Sequence, residues 1–380
     1  KAAGELSFEP FPQSEDEFLT MLARPEWRRH TPKVVEAWKY FSEGYQKFPG
    51  NIAFEWFGPL HHSIAWPLHL FPVDEPVSPS WILKNFPEVS GDRIGECLIY
   101  QHTLAEGLTL CREMYELWQK GTDILESLRG DYSDDPARIA DINLARAISL
   151  QMRSTLNLLT FYSLREEMFF ERKDNLEALR GIVQDEIRNS RSMKQLCEQD
   201  SRLGYHSEAE GYLFFPEKLE ARAALLEQLL DVDFPKFRMD APFIAEYTGE
   251  NPVGAKSVCR RGTPSGNMEK AGGTGISWTS YYDEQMLSIV VEGSEGKAFT
   301  VEIEPCRLWP PVRIDFDQSG KPVLYSFIFR EIPSVEYVRE NGRLTIRIPM
   351  EVFDGFRRKN FPMRFNLWSG TDGWVRREPW

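Results

Sequence analysis

The sequence predicts a multidomain α+β protein built from a partial β/α-barrel-like segment, an antiparallel helical bundle and a C-terminal β-sandwich. Three observations predict this order. Prolines and aromatic residues are concentrated in residues 1–91, no proline occurs between Pro136 and Pro216, and short alternating runs dominate after residue 233. A chain of 380 residues also exceeds what a single hydrophobic core usually organises, so several domains are expected.

Residues 1–91 resemble the end of a β/α barrel in the order of their predicted elements. Pro32 is well placed to start a helix, and apolar residues at helical spacing carry that helix to Tyr45. The run 51–57 (Asn-Ile-Ala-Phe-Glu-Trp-Phe) predicts a short buried strand that Gly58 and Pro59 close. Because a complete barrel needs about 250 residues, we expect only a remnant in this segment.

Residues 92–232 have the apolar stripes of a helical bundle. A first amphipathic run is expected to end at Gly121, and the longest helix is expected after Pro136. Apolar residues from Leu176 to Ile187 continue the period of that helix beyond a bend, residues 201–210 form a polar loop, and a last helix covers Pro216–Leu230. Such stripes are buried when the helices pack against one another, so we expect an antiparallel bundle.

Residues 233–380 have the pattern of a β-sandwich. Within 299–304 every second residue is apolar, as a sheet with one buried face requires. Asn341-Gly342 and similar pairs supply turns between the runs. Six short strands at this spacing are typical of a sandwich. The predicted strands are 286–292, 299–304, 312–317, 323–330, 344–348 and 363–368.

The charge and cysteine content exclude several classes of function. A net charge of −13 opposes nucleic-acid binding, which needs a cationic surface, and disfavours docking on anionic membranes. No apolar run is long enough for a membrane span. The five scattered cysteines predict reduced, mostly buried thiols rather than a disulfide scaffold or a zinc site. Gly272–Gly275 lacks the flanking strand and helix of a phosphate loop, so no cofactor is expected.

The segment from about Ile276 to Trp380 resembles a family-9-type carbohydrate-binding module. The matching runs, in order, are 282–287 (Tyr-Asp-Glu-Gln-Met-Leu), 299–304, 348–353 (Ile-Pro-Met-Glu-Val-Phe) and 363–368 (Met-Arg-Phe-Asn-Leu-Trp), followed by Gly373-Trp374. The resemblance implies a sugar ligand held between aromatic rings with help from Arg and Asn. By match to the closing run, it assigns this role to Arg364, Asn366 and Trp374.

Other aromatic residues of the sandwich are further candidates for sugar contact. Trp368 alternates in phase with Arg364 and Asn366, so the three share one face of their strand, while Tyr282 and Trp309 supply additional rings. The family often has a Trp before the charged strand, whereas residues 293–298 contain no aromatic residue. Trp309 could replace it if its loop folds back. The same face could equally dock on the helices, and aromatic residues also serve as core.

The first two thirds of the chain resemble the C-terminal half of larger bacterial glycoside-hydrolase-like proteins, in which a helical domain follows a barrel. This resemblance implies an oligosaccharide or polysaccharide ligand and an upstream barrel domain of the same parent protein. Lys1 at the start, the absence of a signal segment and the reduced cysteines favour an internal fragment from the bacterial cytoplasm. The residues carrying the match are 38–45, 54–59, 66–69, 90–96 and 200–208.

Catalytic residues have weaker support. Glycoside hydrolysis needs two carboxylates across the sugar, and Glu55 is the one acid inside the apolar strand 51–57. Burial would raise the pKa of Glu55 toward that of a general acid, although it could also be ion-paired or exposed. His61 and His62 could contact substrate in an intact barrel, whereas no metal site is predicted, because Pro67 prevents a regular helix from aligning His62 with His69. We therefore predict an accessory carbohydrate-binding portion, with a glycosidase site or a ligand-free packing domain as alternatives.

Overall fold

The computed structural model describes residues 11–49, 59–73, 102–206, 211–244, 260–261, 269–271, 275–304, 312–326, 335–353 and 364–369. Within these ranges the fold is mixed α+β, with helices up to residue 236 and mainly antiparallel strands after it. The long helices are α1 (Glu15–Trp27), α2 (Thr31–Tyr45), α3 (Leu104–Glu126), α4 (Pro136–Glu171), α5 (Leu176–Gln199) and α6 (Pro216–Gln228).

Local sequence explains where these helices start. Asp135 caps α4, because its carboxylate accepts hydrogen bonds from the backbone N–H groups of Ala137 and Arg138, and Pro136 takes the first helical position. A reciprocal capping box of Thr103 and Glu106 starts α3. The predicted helix start at Pro32 lies one residue inside α2, and the starts at Pro136 and Pro216 are those of the structure. The apolar period that was predicted to continue past a bend to Leu176–Ile187 belongs instead to a separate helix, α5.

Gly121 does not end a helix as the sequence analysis predicted. Helix α3 continues to Glu126, and Gly121 lies where α3 crosses α2. A Cβ atom at Gly121 would come within 2.7 Å of the Ala37 carbonyl oxygen and 2.5 Å of the Phe41 ring. The glycine is therefore required by the close approach of two helices rather than by a chain reversal.

The strands form two larger sheets and one small hairpin. The predicted strands 286–292 and 299–304 have the bounds found in the structure, and those predicted at 312–317 and 344–348 differ by one residue at one or both ends. The strands predicted at 323–330 and 363–368 lie partly outside the described residues. Strands Ile276–Tyr282 and Glu336–Glu340 were not predicted. The strands are β1 (Tyr205–His206), β2 (Gly211–Tyr212), β3 (Arg260–Arg261), β4 (Glu269–Ala271), β5 (Ile276–Tyr282), β6 (Met286–Glu292), β7 (Phe299–Glu304), β8 (Val312–Phe316), β9 (Pro322–Ser326), β10 (Glu336–Glu340), β11 (Arg343–Pro349) and β12 (Arg364–Ser369).

The larger sheet has the strand order β10-β11-β6-β5-β3, with β4 also pairing with β5. The smaller sheet has the order β12-β7-β8-β9 and is antiparallel throughout. Buried residues of both sheets belong to one continuous apolar cluster, which also contains residues of α4 and α5. The rings of Phe299 and Phe316 stack in this cluster at a centroid distance of 4.8 Å.

The predicted polar loop 201–210 carries a short antiparallel hairpin. Its strands β1 and β2 pair Tyr205 with Tyr212 and His206 with Gly211. The periodicity of the sequence did not indicate these strands, because two residues are too few to show alternation.

Two of the five cysteines lie in the described part of the chain, and both are buried free thiols, as the sequence analysis expected. Burial raises the pKa of Cys111 far above the usual thiol value and that of Cys197 to about 11. Because the thiolate is the reactive form, we expect iodoacetamide at pH 8 to leave both unmodified in the native protein and to alkylate both in urea. Peptide mapping by mass spectrometry measures this, and native labelling of Cys111 would contradict the buried position.

None of the helices in the described ranges is long and apolar enough to cross a membrane.

Candidate functional site

Three of the predicted residues, Arg364, Asn366 and Trp368, lie on β12, an edge strand of the four-stranded sheet. Arg364, Asn366 and Trp368 occupy alternate positions there, while Leu367 between them is buried in the core. Successive residues of a strand belong to opposite faces of its sheet. The three predicted positions therefore share the face opposite the core, which we call the β12 face.

The strand register continues the β12 face across β7 and β8. Trp368 of β12 is aligned with Thr300 of β7, which is aligned in turn with Asp315 of β8. In the next row on this face, Asn366 of β12 is aligned with Glu302 of β7. The Thr300 hydroxyl donates a hydrogen bond of 2.7 Å to the Asp315 carboxylate, and both side chains are buried. The β12 face is thus polar along its rows and is covered where Thr300 and Asp315 lie.

Tyr282 lies on the opposite sheet. It ends β5 next to Leu287 of β6, and only 8% of its surface is exposed. Trp278, four residues earlier on the same strand face, is buried as well. In this structure both rings contribute to the core, so a sugar ring would find little of the Tyr282 surface to stack on.

The remaining predicted residues are described only in part. Glu55, Trp309 and Trp374 lie outside the described residues, and so does the side chain of His61 within the helical turn 59–62. The half-buried His62 ring stacks on the Trp66 ring at a centroid distance of 6.1 Å. Among the described residues, no group of three or more His, Cys, Asp or Glu side chains is arranged to hold a metal ion.

A buried charge network, which the sequence analysis did not identify, connects α5 and α6. The Arg222 guanidinium donates hydrogen bonds of 2.7 Å to the Glu186 carboxylate, to the Ser190 hydroxyl and to the Trp66 carbonyl oxygen. The second Glu186 carboxylate oxygen accepts from the amides of Asn157, at 2.7 Å, and Asn189, at 3.0 Å. The charges and hydrogen-bonding groups of this pair are therefore matched inside the protein, as burial requires.

A second buried arginine acts in the same way on α4. Arg165 donates a hydrogen bond of 2.9 Å to the His69 carbonyl oxygen and lies 3.2 Å from the Glu166 carboxylate. Its guanidinium also lies over the Tyr162 ring, 4.7 Å from the centroid. Together with Arg222, it fixes the extended residues 66–70 on the helices through their backbone oxygens.

The sequence contains a signal for this network. Glu186 falls three residues after Val183 and beside Ile187, which puts a carboxylate on the apolar stripe of α5. A charge in such a stripe predicts a buried partner, but the pattern does not show which helix supplies it.

No protein-family model, curated protein or solved structure matches this chain in the three comparisons with known proteins.

Proposed function

We propose that this chain is the carbohydrate-binding, accessory portion of a larger glycan-active protein, and that its sugar ligand binds on the β12 face. The observation that carries the proposal is the strand register, which aligns Arg364, Asn366 and Trp368 on one strand and continues them with polar residues of β7. Two sheets, the smaller antiparallel throughout and the larger mainly so, share one apolar cluster, which also supports a sandwich of the binding-module type.

The chemistry of these residue types suits a sugar. Guanidinium and amide groups hydrogen-bond to sugar hydroxyls, and a Trp ring offers a flat apolar surface to the C–H face of a pyranose. Arg364, Asn366 and Trp368 would provide all three contacts from a single strand, over a length of about 13 Å that suits an oligosaccharide of two or three units.

The buried arginines support the accessory role. Arg165 and Arg222 hold the carbonyl oxygens of His69 and Trp66, so the segment between α2 and α3 is fixed to α4 and α6 by charge-assisted hydrogen bonds. A rigid connection of this kind would keep a binding module at a set position relative to an upstream barrel domain. The possibility that Glu55 completes a glycosidase site remains a prediction.

Arg364→Ala should weaken sugar binding at least tenfold, because it removes the charged hydrogen-bond donor of the proposed site. Isothermal titration with cellohexaose, xylohexaose, maltohexaose and chitohexaose measures this. Arg347→Ala is the matched control, since Arg347 is an arginine on β11 of the other sheet with 51% of its side chain exposed. Equal affinities of the two variants, or no binding of any oligosaccharide, would count against the β12 face as a sugar site.

A packing domain without a ligand is the second candidate. The burial of Thr300 and Asp315 on the β12 face favours it, because a face that the protein itself covers needs no ligand. In that case Arg364→Ala would lower the unfolding temperature without any sugar affinity to lose.

A further inference from the structure

Two exposed tyrosines face each other on the hairpin that connects α5 to α6. Tyr205 and Tyr212 are directly paired across β1 and β2, and their ring centroids lie 5.4 Å apart with planes at 73°. Their exposed fractions are 53% and 50%, although neighbouring aromatic rings are usually buried. We call this pair the tyrosine platform.

The tyrosine platform is held rigidly by the chain on both sides of it. Gly204 adopts a left-handed φ of +82°, and its carbonyl oxygen accepts a 2.8 Å hydrogen bond from the Leu213 N–H. Phe214, next in the chain, is buried in a cluster with residues of α5 and α6. The Tyr212 hydroxyl donates a 2.8 Å hydrogen bond to the Ser201 carbonyl oxygen. The rings are therefore preorganised, which lowers the entropic cost of binding.

We infer that the tyrosine platform binds a pyranose ring of a carbohydrate. With the ring planes near perpendicular, a sugar stacked on one ring would meet the edge of the other. A Tyr hydroxyl can both donate and accept a hydrogen bond, which suits a sugar hydroxyl, and 53% of the Tyr205 surface is exposed.

The size of the tyrosine platform fits a small ligand better than a protein partner. A Tyr side chain has an area on the order of 200 Å², so two half-exposed rings offer roughly 200 Å² together. A stable protein interface buries about 800 Å² on each partner. One or two sugar units cover an area of the available size.

The inference takes its class of ligand, a carbohydrate, from the proposed function. The residues of the tyrosine platform are different from those of the β12 face. Tyr205 and Tyr212 belong to the helical region, whereas the β12 face belongs to the four-stranded sheet. The chain would then contact a glycan at two sites, and substitutions can remove either site without changing the other.

The test uses the full chain and the same four hexasaccharides in isothermal titration. Tyr205→Ala and Tyr212→Ala should each weaken binding about tenfold at this site, while Tyr212→Phe, which keeps the ring, should change it less than threefold. Tyr45→Ala is the matched control, because Tyr45 is 60% exposed on α2 and stacks on Phe48 instead. All titrations are repeated in the Arg364→Ala background, so that each site is measured alone.

The outcomes separate the two proposals. Sugar binding that survives Arg364→Ala and is lost with Tyr205→Ala supports the tyrosine platform and removes the β12 face. Binding lost with Arg364→Ala but unchanged in both Tyr→Ala variants overturns the platform and keeps the β12 face. The platform is also overturned if no hexasaccharide binds, or if Tyr205→Ala converts an oligomer to a monomer in sedimentation, because the surface is then a protein interface.

Discussion

Arg222→Ala is expected to lower the free energy of unfolding of the helical region by about 3–5 kcal/mol. The substitution leaves the Glu186 carboxylate buried without its cation and removes the hydrogen bonds to Ser190 and to the Trp66 carbonyl oxygen. A buried charge that loses its partner costs several kcal/mol, because water cannot replace the lost contact. Urea unfolding followed by circular dichroism at 222 nm measures the change.

Two further variants show whether burial is the cause. Arg191→Ala removes an arginine whose ion pairs with Glu220 and Glu227 are exposed, and it should cost at most about 1 kcal/mol. Replacing Arg222 and Glu186 together by methionine removes both charges, so much of the stability should return. If Arg222→Ala costs no more than Arg191→Ala, the network contributes little and residues 66–70 are held by other contacts.

The sequence predicted the helices best where a proline or a cap marks the start. Pro136 and Pro216 each begin a helix, and the apolar alternation in 299–304 gave a strand with its correct bounds. Helix α1 was missed because Pro25 lies inside it, and a proline ordinarily argues against a helix. Strand β10 was missed because its residues are mostly exposed, so no buried face imposes a pattern on it.

The candidate sites differ in how far the sequence predicts them. The shared face of Arg364, Asn366 and Trp368 follows from the two-residue period of a strand alone. Their alignment with β7 does not, because the register between strands depends on contacts distant in the sequence. The pairing of Arg222 with Glu186 likewise joins residues 36 positions apart on separate helices.

The tyrosine platform depends on one backbone conformation, which makes Gly204 a sensitive position. A Cβ atom there would lie 2.2 Å from the Phe214 carbonyl oxygen, and φ of +82° is unfavourable for any residue with a side chain. Strain of about 1–2 kcal/mol and a steric clash of about 1–3 kcal/mol should together make Gly204→Ala destabilising by about 2–5 kcal/mol. Thermal unfolding followed by circular dichroism measures this.

Gly181→Ala is the matched control for this substitution, because the same atom is added in open space. Gly181 lies inside α5, where a Cβ atom meets nothing within 4 Å, and alanine is the better helix former by about 1 kcal/mol. The two Gly→Ala changes should therefore shift the unfolding temperature in opposite directions.

Gly204→Ala should also lower the affinity for any sugar bound at Tyr205 and Tyr212, because the hairpin that pairs the rings can no longer close. A neutral Gly204→Ala would mean that the hairpin tolerates another backbone conformation, and that the two rings are not held in place.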